Sequence, residues 1–282
     1  MKPFLQITSA AQKGLTLVEL MIAMTLGVIL ITGVLAVFVN TKQAYIDQDA
    51  SSQLQENARF ALEMIGREIR MTRYGGCSSE IGVANLLDGY SGLAEGYEDG
   101  IHGYEGTDTN DSFPASLEAA LPNTDAIIVH TVRANEQLII DKHWVNNGTI
   151  KFTGKHPLRP GTLLLLVDAN CSNMAIFAMS GPANTSSNSK KLFHREDPIS
   201  GHSYRNCTRK AKGRFTCNDY SGAARSAYSV GSSVFPIDSF AYYIGASSKD
   251  LAGQPNSNTD IRSLYRLNMD GDSEEMIEGM KE

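Results

Sequence analysis

Hydrophobic and polar positions divide the chain into three regimes. Over 15–39 nearly every position is apolar, and Glu19 is the only charged residue. About 25 helical residues span roughly 37 Å, enough to cross a bilayer. From Asn40 the pattern turns amphipathic. Leu54, Ala58, Ala61, Leu62, Ile65 and Ile69 recur at helical spacing, while Glu56, Glu63, Arg67 and Arg70 fall mostly on other faces. No proline occurs between Pro3 and Pro114, and Gly75-Gly76 offers a stop. The pattern predicts one helix over 15–73, its second half packed on a globular head.

Beyond Gly76 the periodicity changes to that of strands. "TDAIIVHTV" (124–132), "EQLIIDKHWV" (136–145) and "GTIKFTG" (148–154) are short β-rich runs, with Asn146-Asn147-Gly148 as a hairpin signal between the last two. "GTLLLLVDANCSNMAIFAMSG" predicts two strands joined by a turn at 168–173, and "SVFPIDSFAYYIGAS" with "IRSLYRLNM" predicts another pair. Residues 181–233 are dominated by Ser, Asn, Gly, Lys and Arg and read as a long loop or insertion. A long helix, an irregular connection and an antiparallel meander make an α+β protein.

Composition narrows the function. The 282 residues are 42% hydrophobic, enough for a real core, and carry a formal net charge of −6. Without a long basic block, nucleic acid is not the expected partner of the bulk of the chain, although a small local basic patch stays open. Cys77, Cys171, Cys207 and Cys217 contain no C-x-x-C pair and all follow the apolar segment, which fits disulfides in an oxidising compartment rather than a zinc site. Cys207–Cys217 would close a short loop, which leaves Cys77 for Cys171. Four buried free thiols are the alternative.

The start of the chain carries the most specific signal. Lys2 and Lys13 precede the apolar run, so the leader stays in the cytoplasm and the remainder is exported. No A-x-A site follows the run in "GVLAVFVNTKQAYID", as a secretory signal peptide requires. The distinctive dipeptide is Lys13-Gly14. A cut after it leaves the apolar helix on the mature protein, with a new amine at Leu15.

"KGLTLVELMIAM" resembles the class III leader of type IV pilins and type II secretion pseudopilins. The resemblance implies that prepilin peptidase cuts between Gly14 and Leu15 and methylates the amine. Leu15 stands where Phe is common; Gly14, Thr16, Leu17, Val18 and Glu19 fall in place. It also implies that Glu19 serves assembly, because a neighbour's buried carboxylate can neutralise the arriving amine. The bland alternative is a glutamate that snorkels at the headgroups.

Three further stretches resemble PilW-type minor pilins and J-type pseudopilins: "ARFALEMIGREIRMTRYGGC", "GTLLLLVDANCSNMAIF" and "SLYRLNMDGDSEEMIEGMKE". The implied organisation is a leader at 1–14, a transmembrane and filament-core half-helix at 15–39, an amphipathic half at 40–74, and a periplasmic β-rich head at 75–282. The fold would be α+β and pilin-like, the long N-terminal helix packed on an antiparallel β-sheet head with a loop insertion at about 181–233. In such proteins the last piece leads into a further strand, so the chain reads as truncated after Glu282. The implied function is a minor pilin in a tip or priming complex. Its partners would be other minor pilins, the major pilin, prepilin peptidase and, before assembly, the inner membrane; its destination would be the pilus at the cell surface. A minor pseudopilin and a single-pass anchored periplasmic binding domain are the alternatives, the last separable by prepilin-peptidase dependence.

Catalytic chemistry is not legible. H-E-x-x-H and G-x-S-x-G are missing, and "GTIKFTGKH" is no P-loop, with five residues between its glycines and His156 in place of Ser or Thr. No cofactor is expected. Asn268, Asp270 and Asp272 alternate as calcium ligands do, but lack the glycine and distal glutamate of an EF-hand, so an acidic turn is the first reading. "NCTRKAKGRFTC" sets Arg209, Lys210, Lys212 and Arg214 between two cysteines, as either a solvated loop or a stapled basic loop for DNA or anionic surfaces.

Overall fold

Thr16 opens a single helix, α1, which runs over Leu17–Arg70. The structure, a computed structural model, describes residues 16–72, 77, 81–109, 113–182, 189–248 and 261–280. It divides into two compact units, Met1–Arg59 and Phe60–Glu282.

Within the first unit the helix satisfies its own polar groups. Thr25 Oγ1 donates to the Ile22 carbonyl at 2.9 Å, Thr32 Oγ1 to that of Ile29 at 2.8 Å, and Thr41 Oγ1 to that of Val37 at 2.8 Å. Hydroxyls that bond back onto the preceding turn are what a lipid-facing helix requires, because the bilayer core supplies no other partner. Further along, Gln43 pairs with Asp47 and Gln53 with Asp49 at i,i+4 spacing on the solvated half.

The second unit holds the sheet. Its spine is the long strand β11 (Ser233–Ala246). Near its start β11 pairs with β7 (Leu163–Val167) and β5 (Leu138–Trp144); further along it pairs with β4 (Ala126–Val132) and β12 (Arg262–Leu267). β7 continues into β8 (Met174–Ala178), which pairs in parallel with β1 (Val83–Asn85). β5 continues into β6 (Thr149–His156) and β9 (Ser189–Phe193). β3 (Ile101–Tyr104) flanks β4, and β13 (Ser273–Met280) flanks β12. Two short strands, β2 (Leu87–Asp88) and β10 (Arg205–Asn206), pair separately. The architecture is α+β: a long N-terminal helix with a large, mostly antiparallel sheet.

β7 and β8 lie at the centre and are buried on both faces. Leu164, Leu166, Ala175 and Phe177 point into one apolar cluster. Leu163, Leu165, Val167, Met174, Ile176 and Ala178 point into another. Such strands read as continuous apolar runs instead of alternating ones.

The stretch 181–233 differs from the loop expected of it. It forms β9 and β10, and it places Leu192, Ala211, Phe215 and Tyr228 in the first cluster and Ile199 in the second. Asn206 is fully buried and acts as a strand substitute on β8. Its Nδ2 donates to the Ala178 carbonyl at 2.7 Å and its Oδ1 accepts from the Ala178 amide at 2.8 Å. A double-faced central sheet needs covers on both sides, and this segment supplies part of each.

The last turns of α1 pack on β4, β11, β12 and β13. Ala61, Met64 and Ile65 lie against Val129, Phe240, Tyr242, Leu264 and Ile277. Of the expected stripe, Leu62 and Ile69 are instead exposed, and Leu54 and Ala58 fall in the other unit. Ala61 fixes the packed face, with Met64 at i+3 and Ile65 at i+4 beside it. Arg266 lies over the Phe240 ring at 3.5 Å and reaches Glu68 of the helix at 3.6 Å.

Candidate functional site

The first turn of α1 is organised by two side chains. Thr16 Oγ1 accepts from the Glu19 amide at 3.3 Å, and Glu19 Oε2 accepts from the Thr16 amide at 3.3 Å and from the Thr16 hydroxyl at 3.1 Å. This is a reciprocal capping box: Thr16 is the N-cap and Glu19 the third helical residue. A carboxylate there also meets the positive end of the helix dipole. Glu19 therefore has a local task that charge counting missed, although T-x-x-E before an apolar run is a readable signal. The expected cleavage site, Gly14 and Leu15, lies outside the described residues.

The helix that follows is long and apolar enough to cross a membrane once, by length and composition. Its side chains from Leu17 to Val39 are exposed apart from the half-covered Gly27. With the three threonine hydroxyls turned inward, Glu19 is the one ionisable group on this surface before Lys42.

Residues 9–35 match the family model described as the prokaryotic N-terminal methylation motif. The match contains Gly14, Leu15 and Glu19, so the chain carries a pilin- or pseudopilin-type N-terminal signal. No curated protein and no solved structure matches the chain.

The other expected sites are resolved by their bonding. Asn268 Oδ1 accepts from the amides of Asp270 at 3.0 Å and Asp272 at 2.9 Å, and Gly271 adopts φ +88°. The side chain of Asn268 is thus spent on closing the turn between β12 and β13, and the alternate acidic residues serve a hairpin. Among the described residues no group of three or more His, Cys, Asp or Glu side chains is gathered as a metal site.

The basic loop turns one of its four cations, Lys212, inward. Lys212 Nζ lies 2.8 Å from Asp168 and 4.7 Å from the centroid of Tyr228. Arg209 donates to the Asn146 carbonyl and faces Glu196, and the Arg214 stem packs on Gly82. Its central cation, Lys212, is thus committed to a buried carboxylate, while Arg214 stays exposed. The structure joins Cys207 to Cys217, and Cys77 to Cys171 in the turn after β7.

Asp168 is the hub that sequence reasoning missed. Besides Lys212, it accepts from Ser172 at 2.8 Å, Ser229 at 3.0 Å and Ser232 at 3.1 Å. Burial pushes its carboxyl up, but the hydrogen bonds from Lys212, Ser172 and Ser229 and the Lys212 charge outweigh that, holding it well below the usual range. The partners come from separate loops, so nothing local in the sequence announces them.

Two buried histidines adjoin this hub. His143 Nδ1 accepts from the Tyr228 amide at 3.1 Å, so in the neutral ring the proton sits on Nε2, which faces His194 Nε2 at 3.0 Å. Burial, then Lys212, lowers His143 to about 4; burial, then His143 and Arg209, lowers His194 to about 3. The pair is a neutral internal brace between β5 and the end of β9.

Proposed function

We propose that the chain is a minor pilin that helps start type IV pilus assembly within a minor-pilin priming complex at the tip. It is a structural subunit rather than an enzyme. The observation that carries this reading is Glu19, the one charged side chain of an apolar span, inside a match to the methylation motif. On this reading the leader 1–14 is removed by prepilin peptidase. The half-helix 15–39 anchors the protein in the inner membrane and then enters the filament core, 40–74 continues it, and the head 75–282 is exported. The Leu15 amine of an arriving subunit is then attracted by the Glu19 carboxylate of a neighbour, strongly in low dielectric, with desolvation offsetting much of the gain.

The test is co-purification of the full chain with the other minor pilins and the major pilin, in cells with and without prepilin peptidase. Peptidase-dependent recovery in sheared pili supports the proposal. Recovery only with a secretion apparatus would reassign the chain to a type II pseudopilin. An unprocessed, unassembled membrane protein would leave a simple anchored domain.

A further inference from the structure

The outer face of β5, β6 and β9 carries two cross-strand rows whose chemistry the assembly role does not use. Lys142 is registered opposite Lys151, and Lys151 opposite Lys191. One step along the strands, Trp144 is opposite Thr149, and Thr149 opposite Phe193. The row between them, His143–Ile150–Leu192, is buried on the core side. Side chains alternate along a strand, so the lysine and aromatic rows share the other face.

Like charges directly opposite one another destabilise a sheet. Three lysines in one row, roughly 10 Å across at the usual strand spacing, therefore need a reason other than folding. Asp141 answers Lys151 at 2.5 Å. Lys142 and Lys191 are exposed. The face is a positive exception on a chain of net charge −6. Beside it Trp144 and Phe193 are half-buried; Lys142 Nζ sits 5.1 Å from the Trp144 ring centroid, and the Arg195 guanidinium lies 4.0 Å from that of Phe193.

We infer that this face binds a short stretch of single-stranded nucleic acid, with the lysine row on phosphates and Trp144 stacked on a base. Cations that track a backbone beside aromatic rings are the two parts of sequence-tolerant single-strand binding. A duplex would meet the lysines through its phosphates but would offer Trp144 no unstacked base, so it uses only half of this face. An acidic protein surface, the other partner that lysines beside a tryptophan fit, is the outcome that polyglutamate reports.

Trp144 is the only tryptophan of the chain, so its emission reports on this face alone. The full chain in non-ionic detergent is titrated with oligothymidine of about 15 nucleotides, within the span of known single-strand sites. Dextran sulfate and polyglutamate serve as base-free polyanions. The expected result is quenching of Trp144 by oligothymidine only, with log affinity falling against log salt at a slope of about −1.4, as for two phosphate contacts by Lys142 and Lys191. Lys142→Glu with Lys191→Glu should weaken binding at least about tenfold and flatten that slope, while Lys42→Glu should leave it unchanged. Trp144→Leu, followed by anisotropy of a labelled oligonucleotide, should weaken it roughly 5- to 100-fold, as for one lost stacked base; if that variant does not fold, the charge reversals carry the test. No binding at low salt, quenching that survives both charge reversals, or equal binding of dextran sulfate with unchanged Trp144 emission would each overturn the inference.

Discussion

Glu19 Oε2 accepts from the Thr16 hydroxyl at 3.1 Å while the Glu19 amide donates to that same oxygen at 3.3 Å. One carboxylate therefore closes the helix and supplies the sole charge of the apolar span. The two roles separate by substitution. Glu19→Gln keeps an oxygen for the capping box and loses the charge; Glu19→Ala loses both. If charge drives assembly, both variants enter sheared pili poorly at equal membrane levels. If capping suffices, Gln behaves as wild type. Loss of the cap alone costs about 1 kcal/mol of helix stability.

Processing gives an independent check. Cleavage is expected between Gly14 and Leu15, and intact-mass measurement of the mature chain should find Leu15 at the amino terminus with one added methyl group. Gly14→Val should leave the leader attached. A terminus beyond Val39 would point to ordinary signal-peptide removal and sink the pilin reading.

The Asp168–Lys212 pair should behave as a buried ion pair. Lys212→Met leaves the carboxylate among serine donors without its cation, and a loss of about 3–5 kcal/mol is expected in denaturant unfolding. Asp168→Asn with Lys212→Met should recover part of it. Asp168 is held down in the fold, so its contribution is present above the unfolded value, near 4, and is lost as pH falls below that. The gap between wild type and Lys212→Met should therefore narrow in strong acid. A gap independent of pH would mean that the lysine acts through packing alone.

His130, buried on β4 with Nδ1 3.0 Å from Ser239 Oγ, joins His143 and His194 in giving the opposite pH window. Burial holds them near 4, 4 and 3 in the fold, so they stay neutral while the unfolded chain begins to protonate near 6.5. Their stabilisation is complete above that value and declines as pH falls toward the folded values, by up to about 1.4 kcal/mol per pH unit for each histidine. Melting of the head should drop from pH 7 to pH 5. A flat profile over that window would show that these rings are hydrated in solution.

Long periodic segments were legible in the sequence, and contacts between distant loops were not. The helix, β4, β5, β6, β7, β8, β11 and β12 all follow runs of clear pattern. β1 and β10 are two or three residues long and carry no periodicity. In 181–233 the apolar residues that matter, Leu192, Ile199, Phe215 and Tyr228, are isolated among polar ones, so composition hid a core cover. Glu19 is legible as a charge, and its capping partner Thr16 stands three residues earlier, inside the leader-like stretch. The lysine row depends on register across three strands, which spacing along the chain does not specify.

Seven residues after the end of α1, the bridge from Cys77 to Cys171 ties the chain covalently to the turn between β7 and β8. This has a mechanical consequence. Tension arriving along the helix meets a fork at Cys77, and part of it passes directly to the most deeply buried strands of the head. β1, held by three residue pairs on β8, is shielded from being peeled away first. Reducing the bridge would turn a clamp at the centre of the sheet into a zip that opens from its weakest edge.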